Sequence, residues 1–143
     1  MIMIQFELVT LNGKKFGESV HEVVLPTADG FIAVFPNHMP LISIATPGMI
    51  SVRRKANDSD ESLEYFATNG GVIEIADNIV RVLVDEADAA DDINEQEAEK
   101  AFEAAKTMLK ESKDSISLQH AQTLMDRQKI RLQVAGLRRR KRR

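Results

Sequence analysis

Cysteine and tryptophan are absent from the 143-residue chain. Without cysteine there is no disulfide, no thiolate nucleophile and no cysteine-held zinc, and the redox compartment is left open. Long apolar runs are missing as well. None approaches the ~20 residues a helix needs to cross a bilayer, and Met1-Ile2-Met3-Ile4-Gln5-Phe6-Glu7 lacks the basic start and apolar stretch of a secretory leader. The expectation is a chain that stays in the cytosol or on a cytosolic surface. Proline and glycine are scarce in one part only. Pro26, Pro36, Pro40, Pro47 and six of the seven glycines precede residue 84, leaving Gly136 alone beyond it. Both residues punctuate strands and turns and interrupt helices, so the first part is expected to be turn-rich and the second continuous helix. Aromatics follow the same division, with Phe102 the only one past residue 84.

What is present in residues 1–84 is a succession of short apolar segments. Ile2, Ile4, Phe6 and Leu8 alternate; Val20 to Leu25, Phe31 to Phe35, Leu41 to Ile44, Met49 to Val52, Tyr65 to Thr68, Val72 to Ala76 and Ile79 to Val84 continue the series. Between them stand Asn12-Gly13, Asp29-Gly30, Pro47-Gly48, Asn69-Gly70-Gly71 and Asp77-Asn78, all tolerant of the positive φ of tight turns. This pattern predicts a mainly β domain over residues 1–84, an antiparallel sandwich of about 8–10 short strands. No helix-length segment intervenes, so parallel pairing is not expected.

From residue 94 the period changes to three and four. Ala98, Ala101, Phe102, Ala105, Met108 and Leu109 form one helical stripe, introduced by Asn94 and Glu97 at capping-box spacing. Small polar residues from Ser112 to Ser117 break it. Leu118, Ala121, Leu124 or Met125, Gln128, Leu132 and Ala135 then run to Gly136, a helix-stop residue. Residues 94–137 are therefore predicted to be an antiparallel two-helix hairpin, preceded by a linker over 85–93 and followed by a basic tail over 138–143.

The formal net charge of -3 hides how charge is arranged. Asp85 to Glu99 holds eight acids and no base, whereas Arg138 to Arg143 supplies six of the nineteen basic residues. Such an acidic run is ordinarily a solvated surface. The tail admits three readings: a solvated extension, an element attracted to an anionic membrane surface, or a nucleic-acid contact, the last weakened by the lack of neighbouring stacking aromatics.

Catalytic templates fail one by one. There is no GxGxxG, and Gly13-Lys14-Lys15-Phe16-Gly17-Glu18-Ser19 lacks the Lys-Ser/Thr that directly follows the second glycine of a phosphate loop. Gly17-Glu18-Ser19-Val20-His21 has His21 where a nucleophile elbow needs glycine. His21, His38 and His120 are far apart, without paired ligand spacing, and Asp58-Ser59-Asp60-Glu61 lacks the glycine and distal glutamate of a calcium loop. No catalytic residue and no metal site is assigned. His38 lies in Phe35-Pro36-Asn37-His38-Met39-Pro40-Leu41, where two prolines stiffen an exposed turn, and reads either as a structural turn residue or as a contact residue.

The order of these parts resembles a known family. Asp29-Gly30-Phe31-Ile32-Ala33-Val34-Phe35-Pro36-Asn37-His38-Met39-Pro40-Leu41, then Pro47-Gly48-Met49-Ile50, Asn69-Gly70-Gly71-Val72-Ile73-Glu74-Ile75, Asn78 to Asp85 and Asp92-Ile93-Asn94 are similar to the epsilon subunit of bacterial F-type ATP synthase, in order, over residues 1 to about 137. Phe31 stands where the family often has an acid and Ala33 where it often has glycine. The resemblance implies a non-catalytic rotor part. Its sandwich would dock on the gamma subunit and the c-ring, with Phe31, His38, Met39 and Pro40 as contacts, and couple rotation to the alpha/beta catalytic head. Its hairpin would inhibit ATP hydrolysis when extended, with Arg127, Lys129, Arg131 and the basic tail meeting acidic surfaces of that head. The implied location is the cytoplasmic face of the bacterial plasma membrane, peripheral and through the complex, with no nucleic-acid partner.

No cofactor is implied as required. Some members bind ATP on the hairpin through a segment I-D-x-x-R-A and two second-helix arginines. Here Ile93, Asn94, Arg127 and Arg131 occupy matching places, but Asn94 replaces the acid and Glu97 reverses the charge of the arginine, so phosphate would be repelled. The rival reading is a free-standing binding module that uses its basic tail on an acidic partner or RNA.

Overall fold

A computed structural model describes residues 2–141, with side chains through Arg139; Arg142 and Arg143 of the basic tail lie outside the described residues. The chain forms two compact units that divide between Ala89 and Ala90. The first is built from ten strands: β1 Ile4–Thr10, β2 Gly13–Val20, β3 Glu22–Thr27, β4 Gly30–Val34, β5 Leu41–Ala45, β6 Gly48–Arg53, β7 Glu64–Thr68, β8 Gly71–Ala76, β9 Ile79–Val84 and β10 Ala87–Ala89. The second is a pair of helices, α1 Glu95–Glu111 and α2 Ser115–Lys141, led in by a 3₁₀ turn at Ala90–Asp92.

Alternation determines which side of each strand is buried. In β1 Ile4, Phe6, Leu8 and Thr10 face inward; in β9 Val80, Val82 and Val84 do the same. β2 was not legible as a strand. Its sequence GKKFGESV buries only Phe16 and Val20, a spacing of four with no period-two signal, and its place is set by pairing along β1. β10 is three residues inside the acidic run, held by pairing Ala87 with Thr68 and Ala89 with Phe66 of β7.

The strands follow the path β10-β7-β6-β3-β5-β8-β9-β1-β2, with β4 branching from β3. The path bends where β3 and β5 share the single pair Thr27–Ala45, and its two halves close over a core of Ile4, Phe6, Leu25, Ile50, Ile73 and Val80, among others. Phe16 of β2 touches Phe6 at 5.3 Å between centroids and Phe66 of β7 at 5.9 Å, so the two ends of the path meet. Arg54 covers that seam. Its guanidinium lies over the Phe16 ring and pairs with Glu18 of β2 and Glu64 of β7.

The expectation of antiparallel pairing holds at every described pair but one. β1 and β9 run parallel, Gln5 to Val9 alongside Ile79 to Leu83. A short crossover helix is not needed, because the connection between them is most of the sandwich itself.

Two turns are built alike. Thr10 and Thr27 each donate a hydroxyl hydrogen bond to the glycine carbonyl three residues on, and Gly13 and Gly30 take φ of 116° and 112°. β8 and β9 are joined by Asp77-Asn78, both at positive φ, the two-residue hairpin turn that fits strand twist.

In the helical unit Asn94 caps α1 by accepting from Glu97 N at 3.1 Å, and Asp114 caps α2 by accepting from Ser117 N at 2.7 Å. The latter bond lowers the Asp114 pKa. Ala98, Ala105, Ala121, Val134, Ala135 and Gln128 are buried, while Met108 of the expected stripe is exposed. Gly136 does not stop α2. The helix continues through Lys141, with Arg138 and Arg139 in its last turns, since contacts beyond the glycine outweigh the ~1 kcal/mol that glycine costs a helix. The largest fully buried side chains all belong to the sandwich, at about 1.5–3 kcal/mol each. The fully buried side chains of the two helices are smaller on average: Ala98, Ala105, Ala121 and Ala135 with Val134.

Candidate functional site

The sandwich presents two features suited to contact. The first is the segment between β4 and β5. Asn37 sits at φ 63° and donates its N–H to Asn78 Oδ1 at 2.8 Å, while Asn78 Nδ2 donates to Met3 O at 2.8 Å. One asparagine side chain thus pins this segment to the β8–β9 turn. His38 is half-buried, with its Nδ1–H donating to Met39 O at 2.7 Å, and Phe35 packs edge-on to His21 at 5.6 Å. Met39 is 73% exposed and Pro40 is also exposed. Both readings of His38 therefore have a basis: its ring organises the turn, and the turn presents Met39 and Pro40.

The second feature was not anticipated from the sequence. β5 alternates Ile42 and Ile44 to the outside, 78% and 70% exposed. In register beside Ile44 come Val72 of β8, Leu83 of β9 and Val9 of β1, so an apolar row crosses four strands. Val72 and Leu83 are both more than two-fifths exposed. A parallel row of charge adjoins it: Glu74 opposite Arg81, whose Nε donates to Glu7 Oε2 at 3.0 Å, with Lys14 3.8 Å from Glu7. An apolar row bordered by fixed ion pairs has the composition of a protein–protein contact surface. A sequence signal did exist. Leu41-Ile42-Ser43-Ile44-Ala45 and Val82-Leu83-Val84 are apolar on both faces, which a sheet with one solvated face does not require.

Phe31 is 64% exposed and follows the Thr27–Gly30 turn, at the end of β4 opposite the His38 segment. Four strand steps separate Phe31 from Phe35, roughly 13 Å. Phe31 and the group His38, Met39 and Pro40 are thus separate contact points. Ile42 and Ile44 lie along the strand that continues from Pro40.

On the hairpin, Arg127 and Arg131 share one helical face and Lys129 projects from another, so the three do not form one surface. Ile93 is buried and Asn94 is committed as a cap. The α2 residue that reaches Ile93 is Arg138, which donates to its carbonyl at 3.3 Å. Arg131 and Arg127 lie seven and eleven residues before Arg138, roughly 10 and 16 Å back along the axis. The four positions matching a nucleotide motif are therefore not gathered, and Glu97 adds a carboxylate where a phosphate clamp needs a cation. Among the described residues no three His, Asp or Glu side chains group as a metal site.

Family models match nearly the whole chain: ATP synthase, Delta/Epsilon chain, beta-sandwich domain over residues 3–90, and ATP synthase, Delta/Epsilon chain, long alpha-helix domain over residues 91–136. The chain is similar to the ATP synthase epsilon chain of Herpetosiphon aurantiacus, 34% identical over 136 residues that cover 95% of this chain and 96% of that one. It is 35% identical over 134 residues to the chloroplastic ATP synthase epsilon chain of Nephroselmis olivacea, covering 94% and 97%. Among solved structures, a chain of the Euglena gracilis mitochondrial ATP synthase, in its OSCP/F1/c-ring assembly, matches with a TM-score of 0.79 at 19% identity over 96% of this chain and 82% of that chain. A chain of the Tetrahymena thermophila mitochondrial ATP synthase central stalk and c-ring matches at 0.60 and 14% identity, covering 92% and 95%. At these identities the two structures speak for the fold.

Proposed function

The chain belongs to the ATP synthase delta/epsilon family, and from that premise we propose that it is the epsilon chain of an F-type ATP synthase, a non-catalytic central-stalk subunit. The observation that carries this reading is the division of labour between the two units. A rigidly packed sandwich presents an uncovered apolar row, while most of the fully buried side chains of the two helices are alanines. The first suits permanent docking and the second suits a change of state.

In this reading Ile42, Ile44, Val72 and Leu83 dock on the gamma subunit, and the exposed points at Phe31 and at Met39-Pro40 serve the c-ring and the gamma base. Rotation driven by proton flow is transmitted through that rigid body to the alpha/beta head. The hairpin opens at a cost of a few kcal/mol, within reach of a partner that binds the open form better, and Arg127, Lys129 and Arg131 then meet acidic surfaces of the head. No described helix is long and apolar enough to cross a membrane; in this reading attachment is through the complex, at the cytoplasmic face. The free-standing module is disfavoured by the basic end of the chain, where Arg138 and Arg139 are engaged within the helical unit.

Deleting residues 94–143 tests the reading. The shortened chain is expected to assemble with gamma and the c-ring, and ATP hydrolysis by the reconstituted complex is expected to rise. Unchanged hydrolysis refutes the inhibitory role, and failure to copurify with gamma in salt-resistant, near-stoichiometric amounts refutes the rotor role.

A further inference from the structure

The faces that α1 and α2 bury against each other are mostly alanine, so polar contacts weigh heavily in whether the hairpin stays closed. Two sets of such contacts oppose one another. At the open end, across from the inter-helix turn, Arg138 Nη1 donates to the carbonyls of Ala90 and Ile93, the second at 3.3 Å, and Arg139 Nη1 pairs with Glu95 Oε1 at 2.6 Å. Ala90 and Ile93 are buried, and their carbonyls face the Arg138 guanidinium, a cation that the negative end of the α2 dipole also favours. These bonds span 44 to 48 residues of sequence and tie the last turns of α2 to the chain's lead-in to α1. In the middle of α2, Gln128 is 9% exposed and its Oε1 has no hydrogen-bond partner among the described residues. A buried acceptor without a donor penalises the closed form.

We infer that Arg138 and Arg139 act as a clasp that holds the hairpin closed against a built-in weak point at Gln128. The inference deepens the proposed switch and rests on it: the basic end of the chain sets the closed population, and an acidic protein surface that takes these two guanidiniums in place of Ala90, Ile93 and Glu95 releases the hairpin.

Native-state hydrogen exchange on the full chain measures the open population even when it is small. With Arg138→Ala and Arg139→Ala together, the open-to-closed ratio reported by the amides of Ala98, Ala105 and Ala121 is expected to rise about tenfold at low salt. In the wild type the ratio is expected to rise with NaCl; in the double variant that dependence should largely vanish. Gln128→Leu is expected to lower the ratio several-fold. A second readout follows from the absence of cysteine: Gln96→Cys and Gln133→Cys, both exposed, place a unique label pair across the hairpin, and the long-distance fraction should follow the exchange.

A double variant within twofold of the wild type, or one with undiminished salt dependence, overturns the clasp. Faster exchange in Gln128→Leu overturns the weak point. If exchange follows these expectations while the double variant leaves ATP hydrolysis by the reconstituted complex unchanged, the clasp stands and the inhibitory reading falls.

Discussion

Replacing Ile42 and Ile44 by alanine removes three carbons from each of two side chains that are 78% and 70% exposed in the free chain. Because they are exposed, their loss leaves the core intact, and strand propensity sets the cost to folding at about 1 kcal/mol or less per site. If a partner covers them fully, nearly all of that apolar surface is transferred out of water on docking. At ~0.8 kcal/mol per carbon, scaled by exposure, each substitution weakens docking by about 1.5–2 kcal/mol. The two side chains are neighbours on one face, so about 3.5 kcal/mol for the pair is an upper figure, equivalent to a several-hundredfold rise in Kd. Titration calorimetry of the full chain against the isolated gamma subunit reads this directly. Tyr65, the only tyrosine, lies in the sandwich, and its fluorescence confirms that the variant is folded. Ile116→Ala, at a residue 79% exposed on the hairpin, serves as the control and should leave Kd unchanged. A double variant that binds gamma within threefold of the wild type refutes the assignment of this face.

Three further outcomes follow from particular residues. A Cβ added at Gly71 would lie 1.9 Å from the Leu83 carbonyl oxygen and 3.0 Å from Val84 Cα, backbone that no rotamer can clear; Gly71→Ala should cost the sandwich about 3 kcal/mol, read as a urea midpoint lowered by about 2–3 M in Tyr65 fluorescence, whereas Gly13→Ala, with open space around it, carries only the strain of its φ. Burial raises the Tyr65 pKa above 10, with Asp60 adding to the effect, so the folded state holds this proton more tightly than the unfolded chain; its contribution is complete below pH ~10 and is lost as pH rises through the folded value, a decline that Tyr65→Phe should abolish in alkaline unfolding curves. Millimolar ATP should produce no rise in melting temperature, since Glu97 and the spacing of Arg127 and Arg131 from the Arg138–Ile93 contact disfavour a phosphate clamp; a Mg-sensitive rise would refute that account.

The ion pairs that close the sandwich explain a part of the fold that composition could not show. Arg53 lies between Glu22 and Asp60, and Arg54 between Glu18 and Glu64; these carboxylates raise both arginine pKa values, with Asp60 leading for Arg53 and Glu64 for Arg54. Much of the Arg54 cluster is solvent-exposed, so each pair contributes about 0–1 kcal/mol, and its larger effect is to fix which strands meet at the Phe16 seam.

Strands with strict alternation, such as Ile4 to Thr10, and turns that need positive φ, such as Asp77-Asn78, could be read from the sequence because period two and left-handed backbone are properties of single residues and their immediate neighbours. Asn94 as the cap of α1 was legible for the same reason: a cap acts over three residues. Other features depended on residues far apart in the chain. β2 carries too few buried side chains to announce itself, and the parallel β1–β9 pair joins segments about seventy residues apart. The apolar row from Ile44 to Leu83 exists only once register sets three strands side by side. Gly136 and the terminal arginines show the limit most directly. Local propensity ends the helix there, but Arg138 and Arg139 find partners 44 to 48 residues back in the sequence, and a helix continues where tertiary contacts outweigh the local cost of glycine.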